Sequence, residues 1–109
     1  VGERTQAREW ADLVNLGSPD LIVDATSAGV HGVALQLPFT LLDSHAVCYD
    51  LSYGDAARGF LDWARVGGAA QAFDGLGMLV ETAADAFTRW HGQHPDTEPV
   101  YQSLRQQAA

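Results

Sequence analysis

Arg4, Thr5 and Arg8 lie close together, directly after the short start Val1-Gly2 that reads as the tail of a strand. Two guanidinium groups and a hydroxyl at a strand-to-helix junction can hold a phosphate monoester through charge-assisted, bidentate hydrogen bonds. In a nucleotide-binding sheet that junction lies near the adenosine ribose, so the phosphate that fits is a 2′-phosphate. On spacing alone the three residues read more simply as the solvated first turn of a helix. Glu3 pulls the other way, because an acidic residue at a strand end bonds a ribose 2′-hydroxyl and repels a phosphate. A second set is Asp24, Asp50 and Asp74, each closing a short apolar run. Three carboxylates at one sheet edge have the chemistry of a metal site or of an acid–base pair. The same spacing suits turn and helix caps, and capping is the favoured reading. Gly75-Leu76-Gly77 fits G-x-G but has Val80 where a dinucleotide fingerprint needs its third glycine, so it marks a turn or a close backbone approach. His91, His94 and Asp96 are a weak zinc signal on a helix end, where histidine suits the dipole. No G-x-S-x-G occurs, and nothing supports nucleophilic catalysis.

These residues need elements to hold them. Thr5 to Val14 has Ala7, Trp10, Ala11 and Val14 at helical spacing, and the stretch from Asn15 to Pro19 stops it. Asp20 to Ala25 reads as a buried parallel strand. A loop follows over 30–37, and Pro38 to Leu42 predicts one helical turn. His45 to Leu51 is a second strand, Ala56 to Val66 a helix ended by Gly67-Gly68, and Ala69 to Phe73 a third strand. Leu76 to Trp90 carries the widest apolar stripe, with Leu79, Val80, Ala83, Ala84 and Phe87, and Gly92 closes it. A last helix spans about Glu98 to Gln107. Trp63, Phe87 and Trp90 are expected in the core. Short apolar strands alternating with helices predict a parallel α/β sheet, with helices on both faces by the right-handed crossover rule. The loops after the strands, at Thr26–Gly29, Ser52–Asp55 and Asp74–Gly77, would then line one edge, where such sheets bind ligands.

Composition bounds the rest. The 109 residues predict one domain with a modest core, and a hydrophobic content of 47% excludes a disordered chain. The formal charge of −8 and six basic residues, all arginine, argue against a nucleic-acid partner. No 18-residue apolar run exists, so no membrane span is expected, and no signal peptide is seen. Cys48 is the one cysteine; it reads as a small buried hydrophobe, and an unpaired thiol fits a reducing cytoplasm.

Several runs match one family in order: Asp24-Ala25-Thr26-Ser27-Ala28-Gly29, then Tyr49-Asp50-Leu51-Ser52-Tyr53, then Phe60-Leu61-Asp62-Trp63-Ala64, then Asp74-Gly75-Leu76-Gly77-Met78-Leu79-Val80, leading to Trp90-His91-Gly92. Together they span nearly the whole chain, which resembles the C-terminal part of shikimate dehydrogenase. The resemblance implies the second half of a Rossmann-like parallel sheet over residues 1–74, followed over 75–109 by two C-terminal helices that pack toward a substrate domain. It implies an oxidoreductase of aromatic amino acid biosynthesis (the shikimate pathway) that reduces 3-dehydroshikimate to shikimate with NADPH. Carried over by residue, Glu3, Arg4, Thr5 and Arg8 fall on the segment that binds the 2′-phosphate. Thr26, Leu51, Gly75 and Met78 fall on the cofactor side, Leu51 and Gly75 at the nicotinamide. Tyr53 and Thr82 fall at substrate-contacting positions.

The departures matter as much. Glu3 and Asp24 each replace a usual asparagine, Thr82 replaces a usual glutamine, and the proline and threonine expected after Tyr53 are absent. The family's catalytic lysine and aspartate fall outside this segment, which has no lysine at all. No catalytic and no metal-binding residue is therefore assigned here, and the segment alone is expected neither to turn over shikimate nor to fold stably. Two alternatives stay open: a quinate/shikimate dehydrogenase using NAD, and a non-catalytic nucleotide-binding module. Monomer and homodimer also both stay open. Glu3→Asn in the full-length protein is expected to shift the ratio of kcat/KM values toward NADP over NAD, and an unchanged ratio would remove Glu3 from the cofactor.

Overall fold

The computed structural model describes residues 4–108. Three strands, β1 (Leu21–Asp24), β2 (Val47–Asp50) and β3 (Gln71–Phe73), form one parallel sheet in the order β1-β2-β3. The register pairs Ile22 with Cys48 and Cys48 with Ala72, and Asp24 with Asp50. The helices are α1 (Asp55–Val66), α2 (Leu76–His91) and α3 (Thr97–Ala108). The expected single turn near Pro38 is a 3-10 turn over Phe39–Leu41. No helix among the described residues is long and apolar enough to cross a membrane.

The core follows from the alternation of the strands. Ile22, Cys48 and Ala72 share one face of the sheet and meet Phe60, Leu61, Trp63 and Ala64 of α1, with Leu37, Leu42, Ala46 and Ala69 closing the cluster. Cys48 is fully buried, and burial pushes its thiol pKa up, as expected of an inert structural cysteine. Gly67 is held close by packing, since a Cβ there would overlap the side chains of Leu42 and Phe39. Gly92 ends α2 in the left-handed region at φ 71°, where its N–H donates to the Thr88 carbonyl at 2.8 Å.

Three expectations change. The helix over Thr5–Val14 is reduced to a 3-10 helix over Trp10–Asn15, with Glu9 extended before it at φ −68° and ψ 150°. Its apolar side chains Trp10 and Val14 stay exposed, and a helix this short gains little without a packed face. Helices do not cover both faces of the sheet: Leu21, Val23 and Phe73, which share the face opposite Cys48, are exposed. Phe87 and Trp90 are not core; Trp90 is 79% exposed, because α3 covers only part of the α2 stripe. An apolar groove of about 240 Å³ remains between the two helices, walled by Leu79, Phe87, Val100 and Leu104 among others. The radius of gyration is 16.2 Å, where a compact chain of this length has about 13 Å.

α3 is tied back to the sheet by a contact the sequence reading missed. Arg105 of α3 donates to both carboxylate oxygens of Asp74, at 2.5 and 2.8 Å, and to the Tyr101 hydroxyl at 2.8 Å, with its guanidinium 5.1 Å from the Tyr101 ring centre. The Asp74 side chain is 10% exposed and that of Arg105 38%. The pair holds the Asp74 pKa below the usual carboxylate range, mainly through the Arg105 hydrogen bonds. A lowered carboxyl contributes stability that is present above the ordinary carboxylate range and is lost as pH falls through its folded value. Arg105→Ala is expected to cost about 1–2 kcal/mol at neutral pH, discounted for the exposed guanidinium. That cost should shrink as pH falls through the acid range in urea titrations, and a pH-independent loss would contradict it.

Candidate functional site

The turns after the three strands meet at one sheet edge, and an aspartate starts each of them. Asp24 Oδ1 accepts the Thr26 N–H at 2.9 Å and the Thr26 hydroxyl at 2.7 Å. Asp50 Oδ1 accepts the Ser52 N–H at 2.8 Å, and Asp74 Oδ1 the Leu76 N–H at 3.2 Å. Each carboxylate thus folds its own chain into a turn two residues on, the role that the capping reading gave them. The row also explains why the turns stay level: the parallel register sets Asp24 beside Asp50, and Asp74 follows Phe73, the partner of Tyr49.

Backbone bonds then lock the turns to one another. The Leu51 N–H donates to the Asp24 carbonyl at 3.0 Å, and the Gly75 N–H donates to the Ser52 carbonyl at 2.8 Å. Gly75 lies so close to the preceding turn that a Cβ would overlap the Leu51 carbonyl. Its glycine is therefore fixed by the chain's own backbone, before any ligand is considered. Gly77, by contrast, lies inside α2, and a Cβ there would meet only the Tyr101 ring at 3.9 Å. Of the two glycines, one marks a close approach and the other does not. Gly54, just before α1, has φ 63° and ψ −142°, a conformation that turns the chain after Tyr53 and that glycine adopts without strain.

The residues singled out in the sequence divide into two groups. Thr26, Leu51, Tyr53 and Gly75 come together on this edge. Leu51 and Tyr53 are exposed there, while the Thr26 hydroxyl is spent on Asp24 and on the Ala28 N–H at 3.3 Å. Met78 and Thr82 are exposed, one turn apart on one side of α2, which starts at this edge. Arg4, Thr5 and Arg8 are exposed in irregular chain rather than in a first helical turn, and Arg8 donates only locally, to Gln6 at 2.9 Å. No hydrogen bond among the described residues ties them to the edge. Glu3 lies outside the described residues.

The edge is a platform rather than a hollow. A cavity of about 370 Å³ lies beside it, between the loop around Gly29–Leu37 and α1, and it shares only Asp24 with the row of carboxylates. A flat ring suits the platform chemically, because Leu51 and Met78 are apolar and exposed there.

Comparison with known proteins gives a consistent likeness over most of the chain. Residues 75–105 match the family described as the Shikimate 5'-dehydrogenase C-terminal domain. A shikimate dehydrogenase (NADP(+)) of Stenotrophomonas maltophilia is 51% identical over 97% of this chain, which spans 38% of that relative. A shikimate dehydrogenase (NADP(+)) of Xylella fastidiosa is 52% identical over 93% of the chain and 36% of its own length. The solved shikimate 5-dehydrogenase of Thermus thermophilus, in complex with shikimate, superposes with a TM-score of 0.70 at 30% identity, over 88% of this chain and 36% of that one. The chain thus spans well under half the length of the relatives it matches. Gly75→Ala is expected to cost about 1–3 kcal/mol by displacing the Leu51 carbonyl, whereas Gly77→Ala should be neutral or stabilising by up to about 1 kcal/mol; equal effects in denaturant titrations would contradict the backbone lock. The alternating parallel strands and these likenesses make the chain similar to the C-terminal part of the shikimate dehydrogenases.

Proposed function

We propose that this chain is the C-terminal part of an NADP-dependent shikimate dehydrogenase that reversibly reduces 3-dehydroshikimate to shikimate. The observation that carries the reading is the locked edge, where Leu51 and Gly75 touch through their backbones with Tyr53 exposed beside them. The relatives named shikimate dehydrogenase (NADP(+)) support the reaction and the cofactor. When bound, NADPH supplies the hydride; the protein's part is to orient it and to exclude competing positions. In this reading Leu51, Gly75, Met78 and Thr26 carry the nicotinamide side, and Arg4, Thr5 and Arg8, with Glu3 next to them, carry the adenosine 2′-phosphate. Tyr53 and Thr82 face the substrate, Thr82 as a shorter donor than the glutamine it replaces.

The division at residue 74 has a physical basis within this reading. Residues up to Asp74 complete the sheet, and α2 and α3 leave it, presenting the apolar groove and Trp90 to a substrate domain. The uncovered sheet face with Leu21, Val23 and Phe73 would press on the first half of the cofactor domain. In this reading the catalytic residues lie outside this segment, which is expected to be inactive alone. The cytoplasm is the compartment that fits a buried unpaired thiol and this chemistry.

The test is an NADPH-oxidation assay on the full-length protein with 3-dehydroshikimate. Arg4→Ala combined with Arg8→Ala should raise KM for NADPH by roughly 10- to 100-fold, the loss of charge-assisted bonds to a phosphate, with KM for NADH little changed. No turnover by the unaltered protein would overturn the reaction. Equal shifts for both cofactors would remove the arginines from the 2′-phosphate.

A further inference from the structure

Asp24 and Asp50 are the last residues of adjacent parallel strands and stand opposite each other in the register. They are 7% and 1% exposed. Two ionised carboxylates side by side out of water destabilise each other, because each lacks solvent and meets the other's charge. The hydrogen bonds point the same way. Asp24 Oδ1 is taken by the two Thr26 donors and Asp50 Oδ1 by the Ser52 N–H. Asp50 Oδ2 is buried and has no hydrogen-bond partner. A buried acceptor left without a donor is costly, and a single proton on Asp50 removes that cost and the repulsion together.

We propose that Asp50 keeps its proton in the folded protein and donates it from Oδ2 to the Asp24 carboxylate, so that one shared proton clips the turn after β1 to the turn after β2. The clip acts between the segments that carry Thr26 and Leu51, and it makes their relative position depend on pH. It rests on the register and the burial, not on any ligand reading of the edge.

The charges around the pair are consistent with this. Asp24 from β1 and Asp74 after β3 both face Asp50 with negative charge. The cations Arg105 and Arg65 act on Asp74 instead, Arg105 by direct bonds. Burial is the main cause that raises the Asp50 pKa, Asp24 and Asp74 add to it, and the Ser52 N–H opposes them. A carboxyl whose folded pKa is raised contributes stability that is present in acid and lost as pH rises through the folded value. The clip therefore weakens on the alkaline side, opposite in sign to the Asp74–Arg105 pair.

The experiment compares the full-length protein with Asp24→Asn and Asp50→Asn. Either amide keeps an oxygen for its own turn and supplies the missing donor without a proton. Both variants are expected to raise Tm by several degrees on the alkaline side, with the gain shrinking or reversing as pH falls into the acid range. Infrared spectra of the unaltered protein at neutral pH should show the C=O band of one buried carboxylic acid, absent from both variants. Either variant alone suffices if the other fails to fold. A wild-type pH slope retained in the variants, or no carboxylic acid band in the unaltered protein, would overturn the proposal.

Discussion

The constraint on which the rest depends is the level ending of three parallel strands. Because the register sets Asp24 beside Asp50, and Asp74 next after Phe73, three carboxylates arrive in a row at the same edge. Each bends its own chain two residues on, so Thr26, Ser52 and Leu76 turn away from the sheet at matching heights. The turns are then stitched by two backbone bonds, Leu51 to Asp24 and Gly75 to Ser52. A platform made this way is rigid at low cost, since its acceptors are side chains already fixed by the strands. It also concentrates negative charge, which the chain relieves differently along the row. Arg105 takes Asp74, and the adjacent pair is left to share a proton.

Energetically the molecule is one-sided. α1 buries Cys48, Phe60 and Ala64 well, while the other sheet face and much of the α2 stripe stay open. Apolar area left in water contributes nothing of the roughly 25 cal/mol per Å² that its burial would supply. The radius of gyration reflects the same imbalance: α2 and α3 pack on each other more than on the sheet, and the Arg105–Asp74 pair ties α3 back to it. That polar contact fixes the direction of α3 without consuming the apolar stripe.

Much of this was legible in the residues. Short apolar runs closed by aspartate gave the strands, and 3.6-residue apolar spacing gave α1, α2 and α3 to within a few positions. The Thr5–Val14 segment failed because its apolar spacing promises a helix only where something covers the face, and Trp10 and Val14 are uncovered. Phe87 and Trp90 failed for the same reason: periodicity reports which face is apolar, not whether a partner is present. The Arg105–Asp74 bond joins positions 31 apart, beyond any local pattern, although an arginine in the last turn of a helix is a usable signal. The spacing of Gly75 and Gly77 reads as a turn or a close approach, and only the structure shows that it is the Leu51 carbonyl that excludes a side chain at Gly75.

The most direct test of the platform is a crystal structure of the full-length protein with NADP. The nicotinamide should lie against Leu51 and the Gly75 turn, and the adenosine 2′-phosphate should meet Arg4 and Arg8. A dinucleotide bound in the cavity between Gly29 and Trp63 instead, or a phosphate remote from both arginines, would contradict the assignment of this edge.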